Sequence, residues 1–165
     1  MKPFTLALLL LMIPAIAPET AHSKKAILNL RMANGAFFRL ADYTGRKPVV
    51  VSFFLHVCPP CEREIPHLQA IQDSRPDMAI VLIAGKLSSP EEADAFIERI
   101  AKKSGMTIRL PVAYDRFGDA EADFGVKEYP TTIVFDRSGE VAARVAGYSE
   151  EKRRALDEAL AKVGG

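Results

Sequence analysis

The chain reads FFLHVCPPCEREIP at residues 53–66, where an apolar run ends in a Cys-x-x-Cys motif and an amphipathic segment follows. Cys58 and Cys61 are the only 2 cysteines among its 165 residues. Two sulfurs this close, at the junction of a predicted strand and a predicted helix, indicate dithiol–disulfide chemistry. A purely structural disulfide is the alternative. A disulfide that closes so short a loop would add little stability, because cross-links stabilise more when they close long loops. We therefore expect a pair that opens and closes.

Composition bounds the class of protein. A length of 165 residues predicts one domain. Hydrophobic residues make up 48% and charged residues 26% of the chain, which is ordinary for a globular protein. The net charge of +1 and the scattered basic residues lack the electrostatic footprint of a nucleic-acid-binding protein. Nucleic acid is therefore excluded as an expected partner.

The N-terminal residues 1–23 have the pattern of a secretory signal peptide. Lys2 precedes an apolar run over 4–17, and a polar segment follows. The run is shorter than the roughly 20 residues of a membrane-spanning helix, and Pro14 interrupts it. Cleavage fits after Ala17 or after Ser23, and an uncleaved anchor is the alternative. Either way, residues 24–165 are predicted to form a domain in an oxidising compartment outside the cytoplasm.

The order of predicted elements indicates a mixed α/β sheet covered by helices on both faces. Two short strands flank an Asn34-Gly35 turn, as in a hairpin. A helix is expected to begin at Pro59 or Pro60 and to kink at Pro66. Further strands are predicted over 49–55, 79–84, 111–114, 131–135 and 140–146, and further helices over 89–105, over 119–124 and from Ser149 onward.

These residues and motifs resemble the thioredoxin superfamily and, within it, the exported TlpA/ResA-like thiol-disulfide reductases. The strand and Cys-x-x-Cys of 49–66 are similar to that family's active site, and Gly125-Val126-Lys127-Glu128-Tyr129-Pro130-Thr131-Thr132 to its second signature. The resemblance covers nearly all of the chain after the first 28 residues. It implies a thioredoxin-like fold with an extra N-terminal β-hairpin, and a cis-proline at Pro130 that faces the cysteine pair.

Three positions distinguish this chain within the superfamily. Val57 stands where the family usually has Trp, and the chain has 0 Trp, so partner docking is expected to differ. Ser52 stands where cytosolic thioredoxins carry an Asp in the strand. Glu64, 3 residues after Cys61, occupies the place of an acid in the TlpA/ResA-like branch.

The expected chemistry divides between the two cysteines. Cys58 should lie at a helix N-terminus, whose dipole and free N–H groups favour a thiolate, so it is the predicted nucleophile. By the family's logic it forms a mixed disulfide with the partner, which Cys61 then resolves. Glu64 is predicted to accept a proton from Cys61, with a solvated helix charge as the alternative. The backbone of Tyr129, beside Pro130, is expected to pair with an extended substrate segment.

Pro59 and Pro60, also predicted substrate-binding positions, lack the N–H groups that could stabilise the Cys58 thiolate. The Cys61 N–H is then the nearest donor. A less stabilised thiolate makes a dithiol a better electron donor, so we expect a reductase rather than an oxidase.

A copper- or partner-binding module on the same fold is the alternative from another class, because His56 precedes the cysteines and His67 follows them. On a helix, His67 should point away from Cys61, so no metal ligands are assigned. The only redox group expected is the Cys58–Cys61 disulfide. The resemblance implies exported disulfide proteins as substrates, among them apocytochrome c, and a membrane thiol reductase as electron donor. A monomer is the default expectation.

Overall fold

The computed structural model describes residues 27–164, which form seven strands and four α-helices. The strands are β1 (Asn29–Met32), β2 (Phe37–Arg39), β3 (Val49–Phe54), β4 (Ala79–Ala84), β5 (Val112–Tyr114), β6 (Thr131–Phe135) and β7 (Val141–Ala146). The helices are α1 (Pro59–Ser74), α2 (Pro90–Ser104), α3 (Asp119–Asp123) and α4 (Glu150–Val163), with a 3-10 turn at Leu40–Asp42.

The strands form one mixed sheet in the order β2-β1-β5-β4-β3-β6-β7. The three strands β3, β4 and β5 run parallel, while β6 and β7 are antiparallel to their neighbours. At the opposite edge, β1 pairs antiparallel with both β2 and β5. The carboxyl ends of β3, β4 and β5 therefore lie at the same end of the sheet, and the loops that follow these strands meet there.

Both faces of the sheet are covered, as the fully buried strands β3 and β4 require. Val50 and Phe54 of β3 point to one side, where the apolar residues of α1, α2 and α4 pack. Val51 and Phe53 point to the other, against α3 and the segment around Phe38. The predicted thioredoxin-like α/β fold is confirmed.

The helix ends follow the expected capping chemistry. Cys58 is the N-cap residue of α1, with proline in the first turn, and the helix continues past Pro66. The kink predicted at Pro66 stays a prediction. Ser89 and Glu92 form the predicted capping box at the start of α2. The predicted boundaries of β5 and α3 each differ from the structure by one residue.

The predicted signal peptide or anchor of residues 1–23 lies outside the described residues. Within residues 27–164, no helix is long and apolar enough to cross a membrane.

Candidate active site

Cys58 and Cys61 are joined by a disulfide with an S–S distance of 1.97 Å and a Cα–Cα distance of 5.2 Å. Cys58 is 6% exposed, whereas Cys61, inside the first turn of α1, is 0% exposed. Cys58 is thus the sulfur that a large partner can reach first.

The surroundings of the Cys58 sulfur follow from the two prolines. An N-cap side chain normally accepts from the backbone N–H of the second or third helical residue. The second residue here is Pro60, which has no N–H. The third is Cys61, whose N–H donates to Cys58 Sγ over 3.2 Å. The expectation that the Cys61 N–H is the nearest donor is confirmed.

Glu64 is buried on the same face of α1 as Cys61, with 1% of its surface exposed. The hydroxyl of Ser52 donates to Glu64 Oε2 over 2.7 Å, and that of Thr132 donates to Oε1 over 2.8 Å. Burial raises the pKa of Glu64 to about 7, although both hydroxyl donors act to lower it. The alternative of a solvated helix charge is wrong.

The register of the sheet explains this arrangement. Ser52 of β3 and Thr132 of β6 are directly paired across the antiparallel ladder, so their hydroxyls meet the same carboxylate. Sequence reasoning singled out Ser52 and Glu64 separately but missed that they touch, and it missed Thr132 as the second donor. The two adjacent threonines after Pro130 were the feature of the sequence that could have indicated a hydroxyl donor there.

The second signature lies where β6 begins. The Tyr129–Pro130 peptide bond is cis, as the resemblance implies. Thr131 Oγ1 donates to the Glu128 carbonyl over 2.8 Å, and Gly147 N–H to the Pro130 carbonyl over 2.7 Å, which fixes both sides of the turn. The ring hydroxyl of half-buried Tyr129 donates to Glu121. Burial, together with that carboxylate, raises the pKa of Tyr129.

The two histidines are engaged by separate partners. The backbone N–H of His56 donates to Ser88 Oγ over 2.9 Å, and the ring Nε2 of His56 lies 3.6 Å from Glu92 Oε1. His67 Nε2 lies 2.8 Å from Asp157 on α4. In the described part of the chain, no three side chains of His, Cys, Asp or Glu are grouped so as to hold a metal ion.

Val57, which replaces the family's Trp, is 70% exposed beside the disulfide. The surface beside the disulfide therefore carries a small apolar side chain in place of a large ring.

The AhpC/TSA family matches residues 22–144. The chain belongs to this family. It is 28% identical over 129 residues to the thiol-disulfide oxidoreductase ResA of Bacillus thuringiensis subsp. konkukian, a match that covers 78% of this chain and 70% of the relative. The similarity to this relative, the fold and the bonded cysteine pair establish the chain as a thioredoxin-like thiol-disulfide oxidoreductase.

Solved structures share the fold. A protein from Chlorobium tepidum, described as a putative thiol:disulfide interchange protein DsbE, superimposes with a TM-score of 0.72 at 23% identity, covering 87% of this chain and 96% of that one. A disulfide oxidoreductase from Mycobacterium tuberculosis, described as secreted, superimposes with a TM-score of 0.66 at 22% identity, covering 82% and 95%.

Proposed function

We propose that this enzyme reduces disulfide bonds of exported proteins. The observation that carries the proposal is the Cys58–Cys61 disulfide at the start of α1, with buried Glu64 on the same helix face as the inner sulfur. In the reduced enzyme, the Cys58 thiolate attacks one sulfur of a partner disulfide, whose other sulfur leaves as a thiolate and takes a proton. Cys61 then attacks Cys58 Sγ and releases the second partner thiol. Two electrons pass from the dithiol to the partner, one proton comes from Cys61 and the other from solvent, and the enzyme disulfide forms.

Glu64 is proposed to take the proton of Cys61 during resolution. Residues three apart on a helix have Cβ atoms about 5–6 Å apart, so the carboxylate is within reach directly or through one water. A pKa of about 7 suits a base that must accept and return a proton near neutral pH. The hydroxyls of Ser52 and Thr132 hold the carboxylate in place.

The direction of electron flow is proposed from the first turn of α1. A strong oxidant has a stabilised reduced form, which requires a stabilised thiolate. Pro60 withholds one of the two backbone donors that an N-cap side chain ordinarily receives. The Cys58 thiolate is therefore stabilised less than it would be beside a full set of donors, which favours a reductase.

The partners are proposed from the second signature and from the N-terminal sequence. An extended segment of the substrate pairs with the backbone at Tyr129, next to Pro130, and passes over Pro59 and Pro60 to bring its disulfide to Cys58. The signal-like residues 1–23 and the secreted relative support a periplasmic location. Apocytochrome c cysteines are the proposed substrates, in cytochrome c maturation, and a membrane thiol reductase is the proposed electron donor.

Two cysteine variants test the division of roles. Cys61→Ser should trap a mixed disulfide between Cys58 and a disulfide-bearing peptide, because no second thiol remains to resolve it. Cys58→Ser should form no adduct and should not turn over, since Cys61 is fully buried. Mass spectrometry of the metal-free domain mixed with the peptide measures both. Trapping through Cys61 in the Cys58→Ser variant, at the rate seen for Cys58, would contradict the assignment.

A further inference from the structure

Glu121 is a second buried carboxylate, which the proposed chemistry does not use. It lies on α3 and is 5% exposed. One of its oxygens, Oε1, accepts the hydrogen bond from the Tyr129 hydroxyl. Because Tyr129 immediately precedes cis-Pro130, one hydrogen bond links this acid to the segment proposed to bind substrate.

The backbone of Glu121 is fixed from behind by another buried acid. Asp115, 2% exposed, accepts the backbone N–H of Glu121 over 2.8 Å and that of Ala120 over 3.3 Å. The N–H of Asp115 in turn donates to the carbonyl of Ala84, at the end of β4, over 2.9 Å. These hydrogen bonds connect the start of α3 to the carboxyl end of β4. The backbone of Glu121 is therefore held in one position.

Gly85 leaves room for the contact between Glu121 and Tyr129. A Cβ atom at Gly85 would overlap Glu121 Oε1 and would lie 3.1 Å from both the Tyr129 hydroxyl oxygen and Leu55 Cδ2. The backbone of Gly85 has no positive φ, so its lack of a side chain matters for space and not for conformation. Leu55 lies 3 residues before Cys58. The contact between Glu121 and Tyr129 is therefore close to the segment that leads to the nucleophile.

We propose that Glu121 is a positioning residue that, through the Tyr129 hydroxyl, holds the Tyr129–Pro130 segment ready to pair with an extended polypeptide. This inference rests on the proposed function, in which that segment receives the substrate backbone. A small disulfide has no backbone to pair and needs only an accessible Cys58. Glu121 therefore determines the preference of the enzyme for polypeptide disulfides over small ones.

The test compares two substrates, a synthetic peptide with one disulfide bond and hydroxyethyl disulfide, in steady-state reduction by the full domain. Tyr129→Phe removes only the hydroxyl, whereas Glu121→Ala removes the acceptor together with the rest of the side chain beyond Cβ. Each should raise KM for the peptide about tenfold, the effect of losing one hydrogen bond to a charged group. In each variant the loss with hydroxyethyl disulfide, which has no backbone to pair, should be smaller than the loss with the peptide. The double variant should be no worse than either single variant, because both remove the same contact.

Two matched variants separate positioning from general damage. Glu121→Gln keeps an acceptor oxygen and should restore most of the peptide KM. Asp123→Ala removes an exposed carboxylate from the same helix and should leave both reactions unchanged. If Glu121→Ala fails to fold, Tyr129→Phe decides, because it deletes a single oxygen from a half-buried ring.

Three results would overturn the proposal. One is an unchanged peptide KM in Tyr129→Phe, another is an equal loss with both substrates, and the third is additive effects in the double variant. A wild-type enzyme that reduces hydroxyethyl disulfide but not the peptide would instead reject the proposed function, and this inference with it.

Discussion

At the scale of single residues, the site is organised by carboxylates that the fold keeps from water. Glu64 has 1% of its surface exposed and accepts hydrogen bonds from the hydroxyls of Ser52 and Thr132. Burial of a carboxyl group disfavours its charged form, so its pKa rises. Such a group can exchange a proton with a thiol near neutral pH, at the cost of some stability when it ionises.

The cost should appear in the pH dependence of folding. The pKa of Glu64 is about 7 in the folded protein and 4.5 for an unperturbed side chain, so the folded state binds the proton more tightly than the unfolded state. The free energy of unfolding should therefore fall as pH rises from about 4.5 to about 7, by about 3 kcal/mol at 1.36 kcal/mol per unit. Above pH 7, Glu64 should cause no further fall in the free energy of unfolding.

Glu64→Gln tests this assignment, because the amide does not ionise and should remove that fall. Denaturant unfolding of the oxidised protein across this pH range measures it. In the reduced protein, the same substitution should slow release of the partner from the mixed disulfide more than it slows attack by Cys58. An unchanged pH profile together with unchanged resolution kinetics would reject both roles.

At the scale of elements, the first turn of α1 sets the properties of the nucleophile. Cys58 occupies the N-cap position, which places its sulfur at the positive end of the helix dipole. Pro60 behind it removes one of the N–H groups that would otherwise reach that sulfur. The sequence of this turn therefore tunes the thiolate without any nearby charged side chain having to contact the sulfur.

Restoring the missing donor should make the enzyme a poorer reductant. Pro60→Ala returns an N–H at the second helical position, where N-cap side chains accept. One further hydrogen bond to the thiolate should make the midpoint potential about 30 mV less negative, the equivalent of about 1.4 kcal/mol for a two-electron couple. Pro59→Ala is the matched control, because the first helical position is not a usual cap donor, and its potential should match the wild type. Equal shifts in both variants would contradict the argument.

At the scale of the whole molecule, the periodicity of the sequence predicts most of the fold. Continuous apolar runs predict β3, β4 and β6, which are buried on both faces, and capping residues predict the starts of α1, α2 and α4. The Cys-x-x-Cys motif and the Tyr129–Pro130 signature predict which loops form the site. The placement of these features in the chain is local information, which a sequence carries directly.

The contacts inside the site could not be predicted in this way. Ser52, Glu64 and Thr132 meet only because of the register between β3 and β6, which is a long-range property. Glu121 reaches Tyr129 only because α3 packs beside the ends of β4 and β5 and because Gly85 has no side chain. Local motifs identified some of these residues one by one, but no periodic pattern shows which of them are in contact.

The direction of electron flow is the central claim, and the midpoint potential of the Cys58–Cys61 pair in the metal-free domain tests it most directly. Thiol alkylation across a series of redox buffers measures it, since the chain has 0 Trp to report by fluorescence. We predict a potential below about −220 mV, at or beyond the glutaredoxin range. A potential near about −120 mV, that of a strong oxidant, would contradict the account.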